Sequence, residues 1–334
     1  MNFDMIQNDI TNMTISKESL LDKFTSKLTL SAFPTPKKYT GTIFHYTSSN
    51  NINPILFNED TVVLWASRYD CLNDISEGTL PQIRFAEVCE ELRRSEQISE
   101  EFYNLIHQIN PTKTDLTFIT TDHCIRPFRG EYDTYVTSFS EAYDSLAMWN
   151  YYSKGSRYEG INIGIRTQML LDSLEMNGHI EGKIKVCAFK IIYDAIQQRE
   201  IISTFIEELF SKYEPGDESS VRYHISTMLS SLKMRFKNKC FEHENEVRVI
   251  IHVFKKYKEE VPVKYRTFAG YFIPYIELRF DKGAVCQLTM GPMVGTEQQK
   301  QLQQSVIHEM LENHDYYITE KSSEIPVESV KVFL

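Results

Sequence analysis

Apolar and polar positions along this chain follow two rhythms, one of period two and one near 3.6, and these divide it into predicted strands and helices. Residues 42–47, Thr-Ile-Phe-His-Tyr-Thr, are β-branched and aromatic and predict a strand, followed by a second at 62–65. Residues 80–109 read as helical through Ile83, Phe85, Val88 and Leu92, then Phe102, Leu105, Ile106 and Ile109. A strand at 135–139, a short helix at 146–149 and strands at 160–165 and 184–189 come next. Helices at 197–213 and 218–237 precede strands at 246–251, 272–274 and 286–290, a helix at 296–312 and a closing strand at 327–333. Ahead of all these, residues 16–30 predict a short amphipathic helix, ended by Pro34-Thr35-Pro36.

The strands cluster between helices without a regular βαβ alternation and without an internal repeat, so the expected class is α+β. No long linker follows residue 41. The expected organisation is therefore an N-terminal helical appendage, 1–40, and one α+β domain, 41–334.

Composition narrows the function classes. The chain has 334 residues, with 36 Lys+Arg against 46 Asp+Glu, a net charge of −10. That balance disfavours a dedicated duplex-DNA binder, whose affinity rests on cations neutralising phosphates. The first residues have no basic n-region or apolar h-region, and no apolar run approaches a membrane span of about 20 residues. The six cysteines, Cys71, Cys89, Cys124, Cys187, Cys240 and Cys286, form no CxxC pair. Together these features predict a cytoplasmic protein with reduced thiols, no membrane contact and no metal site; HExxH, EF-hand and P-loop motifs are all missing from the sequence.

Three stretches put polar groups on strands that otherwise look like core. His45-Tyr46-Thr47 ends an apolar strand with an imidazole that titrates near neutrality and a hydroxyl two residues on. Ser138 and Ser140 share one face of a strand with no GxSxG around them, which argues against a nucleophile elbow. Glu244, Glu246 and Arg248 are expected on one side of a strand, with Arg248 as the cation that answers two neighbouring carboxylates. Each stretch also reads as ordinary structure: a bonded core histidine, a strand-end turn, a solvated strand face. Trp149, with Tyr151 and Tyr152, is core or a platform for a flat ring. Asn73, Asp74 and Glu77 read as an acidic turn. Lys233, Arg235, Lys237 and Lys239 read as a solvated helix end and the best phosphate-facing candidate.

Taken in order, these motifs resemble a widespread bacterial family catalogued as a domain of unknown function. They are Phe44-His45-Tyr46-Thr47, Leu72-Asn73-Asp74, Ser138-Phe139-Ser140, Met148-Trp149 and Glu244-Asn245-Glu246-Val247-Arg248, with Tyr265-Arg266 and Ile273-Pro274-Tyr275 beyond. The family's setting in bacterial and phage genomes implies an effector in anti-phage defence or a toxin system. The order His, Ser-x-Ser, Glu-x-Glu is similar, more distantly, to the three-part signature of ADP-ribosyltransferases. That resemblance implies a mixed, split β-sheet core with helical insertions, and NAD as substrate. His45 would hold the adenosine ribose or phosphate side, Ser138 and Ser140 would brace the nicotinamide half, and Tyr46 or Trp149 would stack on the ring. Tyr46, Thr47, Ser138, Ser140, Trp149 and Arg248 thus form the expected NAD-binding set, and Glu246, Glu244 and His45 the catalytic one. Glu246 would bond the nicotinamide ribose and Glu244 would position an acceptor, either protein or nucleic acid. A homo-oligomer or an inhibitor protein is the further partner implied. Two other classes stay open: a non-catalytic nucleotide sensor or interaction module, and a nuclease using His45, Glu244 and Glu246.

Overall fold

The computed structural model describes residues 38–57, 60–71, 79–107, 117–119, 125–127, 132–153, 160–176, 183–292, 296–316 and 327–329. The helix expected at 16–30, the turn at Asn73, Asp74 and Glu77, Cys124 and the end of the last strand lie outside them. In chain order the strands begin with β1 (Thr42–Ser48), β2 (Val62–Arg68), β3 (Thr117–Ile119), β4 (Ile125–Pro127), β5 (Tyr132–Ser140) and β6 (Gly160–Arg166). They continue with β7 (Ile184–Lys190), β8 (Glu246–Phe254), β9 (Lys264–Phe268), β10 (Tyr271–Phe280), β11 (Val285–Met290) and β12 (Val327–Ser329). The α-helices are α1 (Leu80–Arg94), α2 (Glu100–His107), α3 (Leu146–Tyr152), α4 (Thr167–Met176), α5 (Ala195–Ser211), α6 (Glu218–Lys233) and α7 (Glu297–Glu312).

These elements form two compact units that interleave along the chain. Among the described residues one draws on 76–127 and 194–236, the other on 36–75, 128–193 and 237–334. The boundaries carry no linker composition, which is why the sequence reads as one domain from 41 onward. Helices and a largely antiparallel sheet together make the protein α+β.

The first unit is mainly helical. In α1, Phe85, Val88, Cys89 and Leu92 are buried at the i, i+3, i+4, i+7 spacing of one helical face, and α5 repeats it with Ile202, Phe205, Ile206 and Leu209. The Asp194 side chain caps α5 by accepting from the Gln197 N–H at 2.8 Å. The single helical stretch expected over 80–109 is instead two helices. Glu96 takes a left-handed φ of 56°, and the N–H groups of Glu96 and Gln97 bond back to the carbonyls of Arg93 and Leu92 at 3.2 and 2.9 Å. This is a Schellman closure without glycine. The next helix starts afresh at Ser99, whose hydroxyl accepts from the Phe102 N–H at 3.1 Å. Both halves keep an apolar stripe, so periodicity alone does not expose the break.

The second unit holds a ten-stranded sheet in the order β12-β11-β6-β1-β5-β2-β10-β9, with β8 on β5 and β7 on β8. Every pairing is antiparallel except β11–β12. One face buries Ile43, Leu64, Ala66, Phe139, Ile163, Val249, Ile251, Ile276 and Leu278 in a continuous apolar core. Two elements of this unit escape the sequence reading. Helix α4 follows β6 with no turn residue between them, and β9 is exposed at nearly every position, so it shows no apolar alternation.

The sheet branches at β5, and that branch positions the site. Along one edge β5 pairs with β8 over its whole length, from Tyr132↔Phe254 to Ser140↔Glu246. Its other edge is shared: β1 pairs at Phe44↔Ser140, and β2 at Ser67↔Val136 and Arg68↔Tyr135. Thr137, Ser138 and Phe139 lie between these two attachments, where the sheet opens.

Candidate functional site

The opening is lined by Phe44, His45 and Tyr46 of β1, Ser138 and Phe139 of β5, Met148 and Tyr152 of α3, and Glu244 and Glu246. Three consecutive β1 residues contribute, so the cleft takes side chains from both faces of the sheet, which a gap between strands allows and an intact ladder does not. Its cavity volume is about 50 Å³, well below the roughly 300–1,000 Å³ usual for small-molecule sites.

Glu246 opens β8 and is 4 % exposed. Its Oε1 accepts from the Ser138 hydroxyl at 2.6 Å and from Arg248 Nε at 2.7 Å. Its Oε2 accepts from Lys237 Nζ at 3.0 Å and from an Arg248 Nη at 3.2 Å. Burial by itself would push this carboxyl up, but the charges of Arg248 and Lys237 and the bonds from Arg248 and Ser138 outweigh it and hold the pKa at about 2. A buried carboxylate is tolerable only when paired and hydrogen-bonded, and here all four acceptor positions are filled. Its backbone is fixed too: the Glu246 N–H donates to the Tyr193 hydroxyl at 3.0 Å, and its carbonyl accepts from the Ile191 N–H at 3.0 Å.

Glu244 departs from the expected geometry. It ends a 3₁₀ turn, Lys239–Glu244, and Asn245 then adopts the left-handed region at φ 43°, ψ 50° before β8 begins. Glu244 and Glu246 are thus not alternate residues of one strand. They converge because both accept from Lys237, at 2.7 and 3.0 Å. Lys237 is the chief residue the sequence reading misplaced. Helix α6 ends at Lys233, and Lys237 sits beyond it, outside any helix or strand, its N–H donating to the Ile192 carbonyl at 3.2 Å. Arg235 and Lys237 are both buried, not solvated. The available signal was the apolar Phe236 between them, which marks a segment leaving the helix for the interior.

His45 stands across the cleft with its ring edge-to-face on Phe139, centroids 5.9 Å apart. Burial lowers its pKa to about 4, so the imidazole is neutral at pH 7 and presents one donor and one acceptor. Tyr46 is nearly buried; its hydroxyl donates to the Ala142 carbonyl at 2.6 Å and accepts from the Ser145 N–H at 3.1 Å. Trp149 packs edge-on to Tyr46 at 4.7 Å, and its indole N–H donates to Asp144 at 3.0 Å. At 1 % exposure Trp149 supports the cleft wall from within and is not itself a lining residue. Ser140 is also fully buried: its hydroxyl donates to the Glu244 carbonyl at 2.7 Å and accepts from the Ala142 N–H at 3.1 Å. Thr47 accepts from Asn51 at 2.8 Å, away from the opening. Ser138, by contrast, is exposed.

Of the expected site residues, His45, Tyr46, Ser138, Glu244 and Glu246 share the cleft. Thr47, Ser140 and Trp149 brace its surroundings, and Arg248 stands behind Glu246. The lining also includes Phe44, which lies over Gly164: a Cβ there would come within 3.0 Å of the Phe44 ring and 2.8 Å of the Gln287 Cβ. Among the described residues no group of three or more His, Cys, Asp or Glu side chains could hold a metal ion, and no helix is long and apolar enough to cross a membrane.

Residues 148–249 match a family described as Protein of unknown function (DUF2971). The matched stretch carries Trp149, Lys237, Glu244, Glu246 and Arg248, the carboxylate side of the cleft; His45 and Ser138 precede it. No curated protein and no solved structure matches the chain.

Proposed function

We propose that the cleft is an NAD-cleaving site of ADP-ribosyltransferase type, transferring ADP-ribose to a protein or nucleic-acid acceptor. The observation that carries this reading is the convergence of His45, Ser138 and Glu246. They lie 93 and 108 residues apart in sequence and reach one opening from three adjacent strands, β1, β5 and β8.

Breaking the nicotinamide–ribose bond develops positive charge on the ribose, as in glycoside cleavage. A carboxylate that is already ionised and fixed stabilises that charge as it forms, without reorganising. Glu246 has both properties. Of its four donors only Ser138 is exposed, so the reading assigns Ser138 as the partner a ribose hydroxyl displaces, while Arg248 and Lys237 keep the carboxylate oriented. Neutral His45 serves the adenosine side as a hydrogen-bonding group without a charge, and Glu244 faces the acceptor. A dinucleotide needs more room than 50 Å³, so binding must shift the cleft wall. The defence or toxin role belongs to the same reading and rests on the family resemblance alone.

The test is nicotinamide release from NAD in a cell extract, followed by mass spectrometry, for wild type and Glu246→Gln, with circular dichroism as a fold check. Release by the wild type and its loss in a folded Glu246→Gln variant are expected. Equal release by both proteins, or none by the wild type, would overturn the assignment.

One observation favours a second reading, a non-catalytic nucleotide-binding module. With all four acceptor positions of Glu246 already filled, the cluster also suits a clamp that holds a ligand without reacting. Saturable NAD binding by calorimetry with no released nicotinamide would select it.

A further inference from the structure

The hairpin that ends the sheet among the described residues carries a second feature that the cleft does not use. Strands β9 and β10 are joined by Ala269-Gly270, both at positive φ, 46° and 84°, which suits the tight turns that match strand twist. Directly paired residues point to one face, so the register sets out a row. Phe268 faces Tyr271, Arg266 faces Ile273, and Lys264 faces Tyr275, which in turn faces Ser67. Glu277 beside Trp65 and then Arg279 follow on the same face. The row from Tyr271 to Glu277 spans about 20 Å at normal strand rise.

This face is aromatic and open. Tyr271 is 75 % exposed, Trp65 51 % and Phe268 43 %, and Trp65 lies against Tyr275 with ring centroids 4.5 Å apart. It is also cationic within a chain of net charge −10. Lys264 and Arg279 share one acid, Glu277, at 2.6 and 2.7 Å. Arg266 donates to the Ser67 hydroxyl at 3.1 Å, while its Nε–H is buried with no hydrogen-bond partner. Three cations against one carboxylate, interleaved with exposed rings, suit a flexible polyanion whose units carry flat faces. An acid-rich extended peptide would use the charges but would leave the rings without stacking partners.

We infer that this face binds single-stranded nucleic acid, with bases stacking on Tyr271, Phe268 and Trp65 and phosphates meeting Lys264, Arg266 and Arg279. Ser67 pairs with Val136, two residues before Ser138 on the same face of β5. A strand bound along the row therefore runs toward the cleft. The inference rests on the β2–β10–β9 face alone and stands whether or not the cleft cleaves NAD.

The experiment is fluorescence anisotropy of labelled 12-nucleotide poly(U) and poly(dT) with the full chain, at about 50 and 200 mM salt. Binding that weakens with salt is expected. Tyr271→Ala should weaken it by about tenfold or more, within the range of a lost base–aromatic stack, whereas Tyr271→Phe retains it because stacking needs the ring and not the hydroxyl. Arg266→Ala should flatten the salt dependence. No binding by the wild type at low salt, as expected if the face captures a peptide strand instead, overturns the inference. So does binding that Tyr271→Ala leaves unchanged.

Discussion

At the cleft, charge is buried and fully answered; on the β2–β10–β9 face, aromatic surface is exposed and unanswered. The two regions belong to one sheet, and register links them through Ser67 and Val136. Around Glu246 every acceptor position is filled by Ser138, Arg248 or Lys237, and the group is fixed before any ligand arrives. Around Tyr271 the rings have solvent on one side. The first arrangement is what preorganised electrostatics requires. The second is what a docking surface leaves available. Exposed aromatics in a row are uncommon on a surface with no partner to cover them.

Substitutions should therefore act in opposite ways. The largest effect is expected at the cleft: Arg248→Ala removes one partner of a buried ion pair and should destabilise the fold by about 3–5 kcal/mol in urea denaturation. A loss below about 1 kcal/mol would mean the charge cluster is far better hydrated than its burial implies.

Acid should act on the same cluster. Glu246 has a folded pKa of about 2 against an ordinary value of 4.5. Its contribution is present above pH 4.5 and is lost as pH falls toward 2, amounting to something on the order of 3 kcal/mol. His45, lowered from 6.5 to about 4, has the same sign in a higher window: its contribution is full above pH 6.5 and is lost on the way down to 4. Denaturation midpoints measured from pH 7 to 3 should fall in two stages, and Glu246→Gln should remove the lower one while leaving the upper. A single stage at the ordinary carboxylate range would contradict the cluster's geometry.

The smallest effect is expected on the outer face. Tyr271→Ala should change stability by no more than about 0.5 kcal/mol, since an exposed side chain away from special features contributes little to folding. A larger loss would show that the hairpin rings are packed in solution and are not free for a ligand.

Much of the cleft was legible in the sequence, residue by residue. The strands around His45, Ser138 and Glu246 follow from β-branched and aromatic runs, and the polar interruptions in those runs are the lining itself. Assembly was less legible. A strand pattern says nothing about which edge each neighbour takes, so the shared edge of β5, where β1 and β2 attach at opposite ends, has no one-dimensional signature. Lys237 was hidden because a basic run looks solvated unless its two carboxylate partners are already in place. The alternation of Glu244, Glu246 and Arg248 reads as strand and masks Asn245, although asparagine is among the non-glycine residues that enter the left-handed region most readily. The break at Glu96 sits where glycine is usual, and the two units interleave at positions with no linker composition. Trp149 and Ser140 show the converse: residues matching a functional motif that the packing commits to support.

The most direct measurement is the rate of nicotinamide release from NAD by purified protein between pH 5 and 8, for wild type and Glu246→Gln. Because Glu246 stays ionised and His45 stays neutral through that range, a flat wild-type profile and no release by the variant are expected. An inflection in the wild-type profile between pH 5 and 8, release by Glu246→Gln, or the lack of any release from NAD by the wild type would contradict the account.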